Sequence, residues 1–164
     1  MPSPFHELCA ELNASLTPAL AAAGYRAPET PFDRHNVRYE FKRESVAGQA
    51  TIAILFNRKR SPEFGVQLFV EPSQGLAELE TRGGMLIIGT LSPSHARWPF
   101  PVRTFGKGGS LLSRLWGKAA TTPREAVRAC LALLPEVEAW WQDPRSSKYI
   151  LASVLRYPGK QKGG

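Results

Sequence analysis

Val37-Arg38-Tyr39-Glu40-Phe41-Lys42 alternates apolar and charged side chains at every step. A period of two marks a strand with one face buried and the other in water. Residues 45–49 read as a hairpin turn around Gly48. The run Thr51-Ile52-Ala53-Ile54-Leu55-Phe56 that follows is almost continuously apolar, as a central strand should be. After the polar turn Asn57-Arg58-Lys59-Arg60-Ser61-Pro62, alternation resumes with Phe64, Val66, Leu68 and Val70. Connections this short join antiparallel neighbours. Residues 85–91 offer a fourth strand, beyond a loop that holds Pro72, Gly75, Glu78 and Glu80.

On either side of this meander the period is helical. Phe5, Leu8, Leu12, Leu16 and Leu20 recur at three- and four-residue steps, one stripe of an amphipathic helix. Pro18 should kink it or split off its last turn, and Gly24 stops it. Residues 25–36, with Pro28 and Pro31, read as a loop. Thr122-Pro123-Arg124-Glu125 matches a capping box with proline at the first helical position. Behind it Val127, Leu131, Leu134, Val137 and Trp141 keep the helical period, with a kink expected at Pro135. Asp143-Pro144 ends that helix and could cap another, with Ile150, Leu151, Val154 and Leu155 on one face.

The expected fold is therefore α+β. An N-terminal helix leads into an antiparallel meander of three to four strands, then a long loop over residues 92–121. One or two C-terminal helices follow, packed on one sheet face. Residues 1–157 read as a single domain and residues 158–164 as a disordered basic tail. A chain of 164 residues buries roughly 70% of its unfolded surface and needs no disulfide or metal staple. Cys9 and Cys130 sit among apolar neighbours and read as small buried hydrophobes. No secretory leader pattern and no apolar run long enough for a membrane span is present. Together these features point to a soluble cytoplasmic protein.

Catalytic patterns fail one by one. His6, His35 and His95 have no metal-ligand partner at helical spacing, and no C-x-x-C occurs, so neither a metal nor a cofactor is implied. Glu136 and Glu138 diverge around a helix and read as a solvated face. No G-x-S-x-G elbow is found. Gly106-Lys107-Gly108-Gly109-Ser110 departs from a phosphate-binding loop, because Pro101 stands where the first glycine belongs and two glycines separate Lys107 from Ser110. The sequence reads as non-enzymatic. An enzyme would need a site assembled from loops, for instance around His95 and Glu78.

Charge is the informative feature. The net charge is +7. No acidic residue lies between Glu80 and Glu125, while Arg82, Arg97, Arg103, Lys107, Arg114, Lys118 and Arg124 do; elsewhere acids and bases cancel. The same interval carries Trp98, Phe100, Phe105 and Trp116. Three readings compete: phosphate neutralisation with base stacking, a short Leu111–Trp116 helix on an anionic membrane surface, and a protein-binding loop, since Trp and Arg dominate interface centres. A structural loop covering the sheet is the plain alternative. The leading candidates for partner contact are Arg97, Trp98, Arg103, Phe105, Lys107, Arg114, Trp116 and Lys118, on the expectation that the cations of the interval form one exposed platform. Arg58-Lys59-Arg60 reads as a solvated hairpin tip.

Gly24-Tyr25-Arg26 after the leading helix, then Phe41-Lys42-Arg43 and Phe64-Gly65-Val66-Gln67-Leu68 on strands, give a layout over residues 5–70. It resembles small bacterial proteins that accompany polymorphic or contact-delivered toxins and look like immunity proteins. The resemblance implies a protein that occludes a toxin's active site and has no catalytic residues of its own. Immunity proteins against nucleases are commonly acidic, so a chain at +7 would suit an acidic or neutral toxin domain. The expected function is a non-catalytic protein-binding module with an acidic or neutral partner. A nucleic-acid-binding domain using residues 82–118 is the alternative.

Overall fold

In the computed structural model, which describes residues 1–73, 75–94, 103–106 and 122–159, the period-two segments form antiparallel strands. These are β1 (Arg38–Ser45), β2 (Gly48–Phe56), β3 (Glu63–Glu71) and β4 (Gly84–Leu91). Two further strands join them, β5 (Phe105–Gly106) and β6 (Ile150–Tyr157). The order across the sheet is β1-β2-β3-β4-β6, and β5 pairs with the start of β3. The helices are α1 (Pro4–Glu11), α2 (Thr17–Ala22), α3 (Leu76–Arg82), α4 (Pro123–Ala132) and α5 (Leu134–Gln142). The fold is α+β, with the C-terminal helices packed on the sheet.

Register explains which face is dry. Phe41, Ile52, Leu68 and Gly89 lie in one row across the strands, and Tyr39, Ile54, Val66, Leu91 and Ile150 in the next. Leu8, Leu12, Leu16 and Leu20, Val127 and Cys130 of α4, and Val137 and Trp140 of α5 share one core with these rows. Each fully buried Leu or Phe contributes about 1.5–3 kcal/mol, so this layer is the main source of stability. The other face carries a small cluster, Ala53, Phe69 and Leu86, against which Leu76 and Tyr157 pack. Beyond it that face is ionic: the Lys42 ammonium lies 3.2 Å from Glu40 and 3.9 Å from Glu71.

Pro18 acts upstream of itself. Proline has no N–H and crowds the preceding turn. The helix widens over Leu12–Leu16 into a π turn, in which the Thr17 N–H donates to the Leu12 carbonyl, and α2 then starts with Pro18 in its first turn. Leu12, Leu16 and Leu20 all remain in the core. At Thr122 both halves of the capping box form, with the Glu125 N–H donating to Thr122 Oγ1 at 3.2 Å and the Thr122 N–H to Glu125 Oε2 at 3.0 Å. Pro135 opens α5, so the expected kink is a break between two helices.

Three expectations need correcting. Residues 150–157 form strand β6, not a helix: Ile150, Leu151, Val154 and Leu155 fit a helical stripe, but an eight-pair ladder to β4 satisfies the backbone instead. Leu76–Arg82 is helix α3, not loop; Gly75 and Gly83, both at positive φ, bracket it, and Leu79 rests on Gly84. Val37 precedes β1 and is exposed. Of the long connection at residues 92–121, residues 95–102 and 107–121 lie outside the described residues, as does the tail from residue 160. Among the described residues no helix is long and apolar enough to cross a membrane.

Gly89 lets α5 close on the sheet. A Cβ there would stand 2.8 Å from Ile150 Cγ2 and 3.0 Å from Trp140 Cζ2. Gly89→Ala is expected to cost about 1–3 kcal/mol through overpacking, read as a lower urea midpoint with unchanged slope. An unaltered midpoint would contradict this packing.

Candidate interaction surface

The site is built from the start of β3. Phe105 pairs with Phe64 and Gly106 with Glu63. The Phe64 and Phe105 rings stack with centroids 5.3 Å apart, a contact worth about 0.5–1.5 kcal/mol beyond the area it buries. At 1% exposure Phe105 belongs to the core, which corrects its assignment to partner contact. Arg103, two residues earlier, is exposed, with its backbone carbonyl near Gly65.

The Glu63 carboxylate organises the turn beside it. Its Oε1 accepts from Asn57 Nδ2 at 2.7 Å and from Ser61 Oγ at 2.8 Å, and its Oε2 accepts from Thr104 Oγ1 at 3.4 Å. Asn57 also donates to Ser61. One half-buried acid thus ties the β2–β3 turn to the segment carrying Arg103. Arg60 adopts a left-handed backbone, φ 54°. Its guanidinium donates to the Asn36 carbonyl at 2.8 Å and the His35 carbonyl at 3.3 Å and lies over the Phe5 ring. The second acid here, Asp33, accepts from Tyr39 Oη at 2.8 Å and from the His35 and Asn36 N–H groups. The Tyr39 hydrogen bond leads in holding its carboxyl below the usual carboxylate range.

The outcome is a basic end. Residues 33–36, 57–63 and 103–106 hold five cations, Arg34, Arg58, Lys59, Arg60 and Arg103, against two carboxylates engaged in internal hydrogen bonds. Arg34, Arg58, Lys59 and Arg103 are exposed. Of the seven cations between Glu80 and Glu125, Arg103 belongs to this group. Arg82 is separated from it by the length of β3, roughly 30 Å, and pairs with Glu78 at 2.9 Å. Arg124 lies 3.6 Å from Glu11. The single platform expected from residues 82–124 therefore does not include Arg82. Arg97, Trp98, Lys107, Arg114, Trp116 and Lys118 lie outside the described residues, as does His95. The Arg58-Lys59-Arg60 turn, read from sequence as a bare tip, is what Arg103 joins; only the β5–β3 pairing, made across about 40 residues, brings them together.

A second polar group holds the opposite corner. Tyr25 Oη donates to Glu138 Oε1 at 2.9 Å and accepts from Trp141 Nε1 at 2.7 Å. Arg43 Nη2 donates to Glu138 Oε2 at 2.8 Å, and its guanidinium covers the Tyr25 ring at 4.3 Å. Glu138, with its side chain still 43% exposed, is thus also an anchor: it joins α5 to β1 and to the chain leaving α2. Burial pushes the Cys9 thiol up to about 11 and the Cys130 thiol up to about 12, which leaves both protonated and poor nucleophiles at neutral pH. Among the described residues no group of three or more His, Cys, Asp or Glu is placed to hold a metal ion. The chain matches no family model, no curated protein and no solved structure.

Burial first, and then the hydrogen bond to Glu138, raise the Tyr25 phenol well above its usual value. The folded state therefore favours the protonated phenol. The stability it contributes is complete below about pH 10, the unfolded value, and is lost as pH climbs beyond that. Tyr25→Phe should lower stability at neutral pH by about 0.5–1.5 kcal/mol and flatten the alkaline limb of a stability–pH curve measured by urea unfolding. An equally steep limb would contradict the assignment.

Proposed function

We propose that this chain is a non-catalytic protein-binding module that presents its basic end to an acidic surface of a partner. The form we favour is neutralisation of a toxin domain by covering its active site, in the cytoplasm, where two free cysteines suit a reducing compartment. The observation that carries the reading is the gathering of five cations: the β3–β5 pairing brings Arg103 to Arg58 and Lys59, and the Arg60 hydrogen bonds to His35 and Asn36 bring Arg34. Long cations held on a rigid turn lose less freedom on binding than cations on a mobile loop. Their field also speeds encounter with an acidic partner.

Nucleic acid is the competing partner for the same charges. Stacking on bases needs exposed aromatic faces, and among the described residues the rings at this end, Phe5, Phe56, Phe64 and Phe105, are all buried. The described rings therefore favour protein over single-stranded nucleic acid.

The test is a comparison of the wild-type chain with Arg58→Glu/Lys59→Glu/Arg103→Glu, three exposed positions that leave the core intact. Affinity purification from the native host should recover a stoichiometric acidic protein with wild type. The variant should bind it at least about tenfold more slowly, with the difference shrinking as salt rises. Recovery of the chain with no second protein, or equal binding by the variant, would overturn the reading. Salt-sensitive retention of an oligonucleotide in place of a protein would establish the alternative.

A further inference from the structure

The two edges of the sheet are built differently. β1 carries Arg38, Glu40, Lys42, Arg43 and Glu44, and its outer side is partly closed by a bridge between Arg26 and Lys42. Charge and cover are the usual protection of an edge against pairing with another chain. β6 has neither. Its sequence, Ile-Leu-Ala-Ser-Val-Leu-Arg-Tyr, holds one charge, Arg156, and no proline. It runs in unbroken register with β4 from Gly84↔Tyr157 to Leu91↔Ile150, so no bulge twists it away. Among the described residues no strand lies on its other side.

Apolar surface collects at the same edge. Met85 is 66% exposed, Ile87 42%, Val154 54% and Leu155 44%. Met85, Ile87 and Val154 share the face that α5 covers further along, where Trp140 closes over Gly89 and Ile150. The helical layer thus shields one end of the β4–β6 pair and leaves the other end bare. Leu155 faces the opposite side, beside Tyr157.

We infer that β6 pairs antiparallel with β6 of a second copy, extending the sheet across a two-fold axis. Three features select this occupant over a foreign strand. A two-fold centred on Ser153 or Val154 keeps the helices of both copies on one face; a slip of one residue would put them on opposite faces. In either register Arg156 faces Ile150 or Ala152 of the partner copy, and the two Arg156 side chains stay roughly 14–20 Å apart, beyond the ~8 Å screening length at physiological salt. The axis also sets the helix-covered end of one copy alongside the bare Met85, Ile87 and Val154 of the other, a self-complementary arrangement. A lone foreign strand would complete the ladder and leave Met85 and Ile87 wet. The exposed apolar side chains amount to a few hundred Å² per copy, so two copies with their edges approach the ~1,000 Å² of a specific interface.

The test is sedimentation velocity up to ~200 µM, with hydrogen exchange on the β6 amides. Wild type should show a monomer–dimer equilibrium with a micromolar Kd. It should tighten as salt rises from ~0.15 to ~0.5 M, because screening relieves repulsion between two copies at like charge, and β6 should gain protection as concentration rises. Val154→Lys/Leu155→Lys, at two exposed positions, should weaken the dimer at least tenfold. Val46→Lys, at the β1–β2 turn, should leave it unchanged, and Arg58→Glu/Lys59→Glu/Arg103→Glu, which lowers the repulsion between copies, should leave it as tight or tighter, which separates this interface from the basic end. A monomer throughout, or a dimer that Val154→Lys/Leu155→Lys does not weaken, would overturn the inference.

Discussion

Strand β3 gives one edge to β2 along its length and divides the other between two partners, β5 at Glu63–Phe64 and β4 from Val66 to Phe69. That division constrains the rest. The first part draws residues 103–106 onto the sheet beside the β2–β3 turn. The second starts the β4–β6 ladder, which ends in an edge that no described strand covers. The stacked Phe64 and Phe105 rings and the Glu63 carboxylate secure the junction from the apolar and polar sides. Remove it and Arg103 has no fixed relation to Arg58 and Lys59.

Shielding of one sheet face supplies the stability that such a junction needs. The leucine stripe of the first helical segment, α4 and α5 cover the rows from β1 to β3, and the Tyr25–Glu138–Arg43 group pins α5 at the β1 side. Partly buried and hydrogen-bonded on both sides, this ion pair fixes where the helix lies more than it adds to stability. The helices reach across β4 only as far as Gly89. That limit leaves the far end of β4 and β6 bare and gives the molecule two separate surfaces, one basic and one apolar.

Strands β1 to β4, the leading helix and the capped α4 were legible in the sequence because each is written locally: a period of two, a stripe of leucines, Thr122 three residues before Glu125. β6 was not, because Ile150, Leu151, Val154 and Leu155 satisfy a helical stripe as well as a strand, and only the vacant edge of β4 decides between them. α3 was missed because a seven-residue helix shows less than two turns of pattern. Glu138 is solvated as its spacing suggests, but helical spacing says only which way a side chain points and not that Arg43 and Tyr25 bond it there. Phe105 was misassigned because an aromatic in a basic stretch reads as a contact residue, and the nearness of Arg58 and Lys59 to Arg103 depends on a pairing that no local pattern encodes.

The account rests on Arg103 being fixed beside the β2–β3 turn. Nitroxide labels at Lys59→Cys and Arg103→Cys, both exposed, measure this directly by dipolar electron paramagnetic resonance, since Cys9 and Cys130 are buried and stay unlabelled. A single narrow, short distance is the expected result. A broad distribution reaching to long distances would mean that β5 does not hold residue 103 to the sheet, and Arg103 would not belong to the basic end.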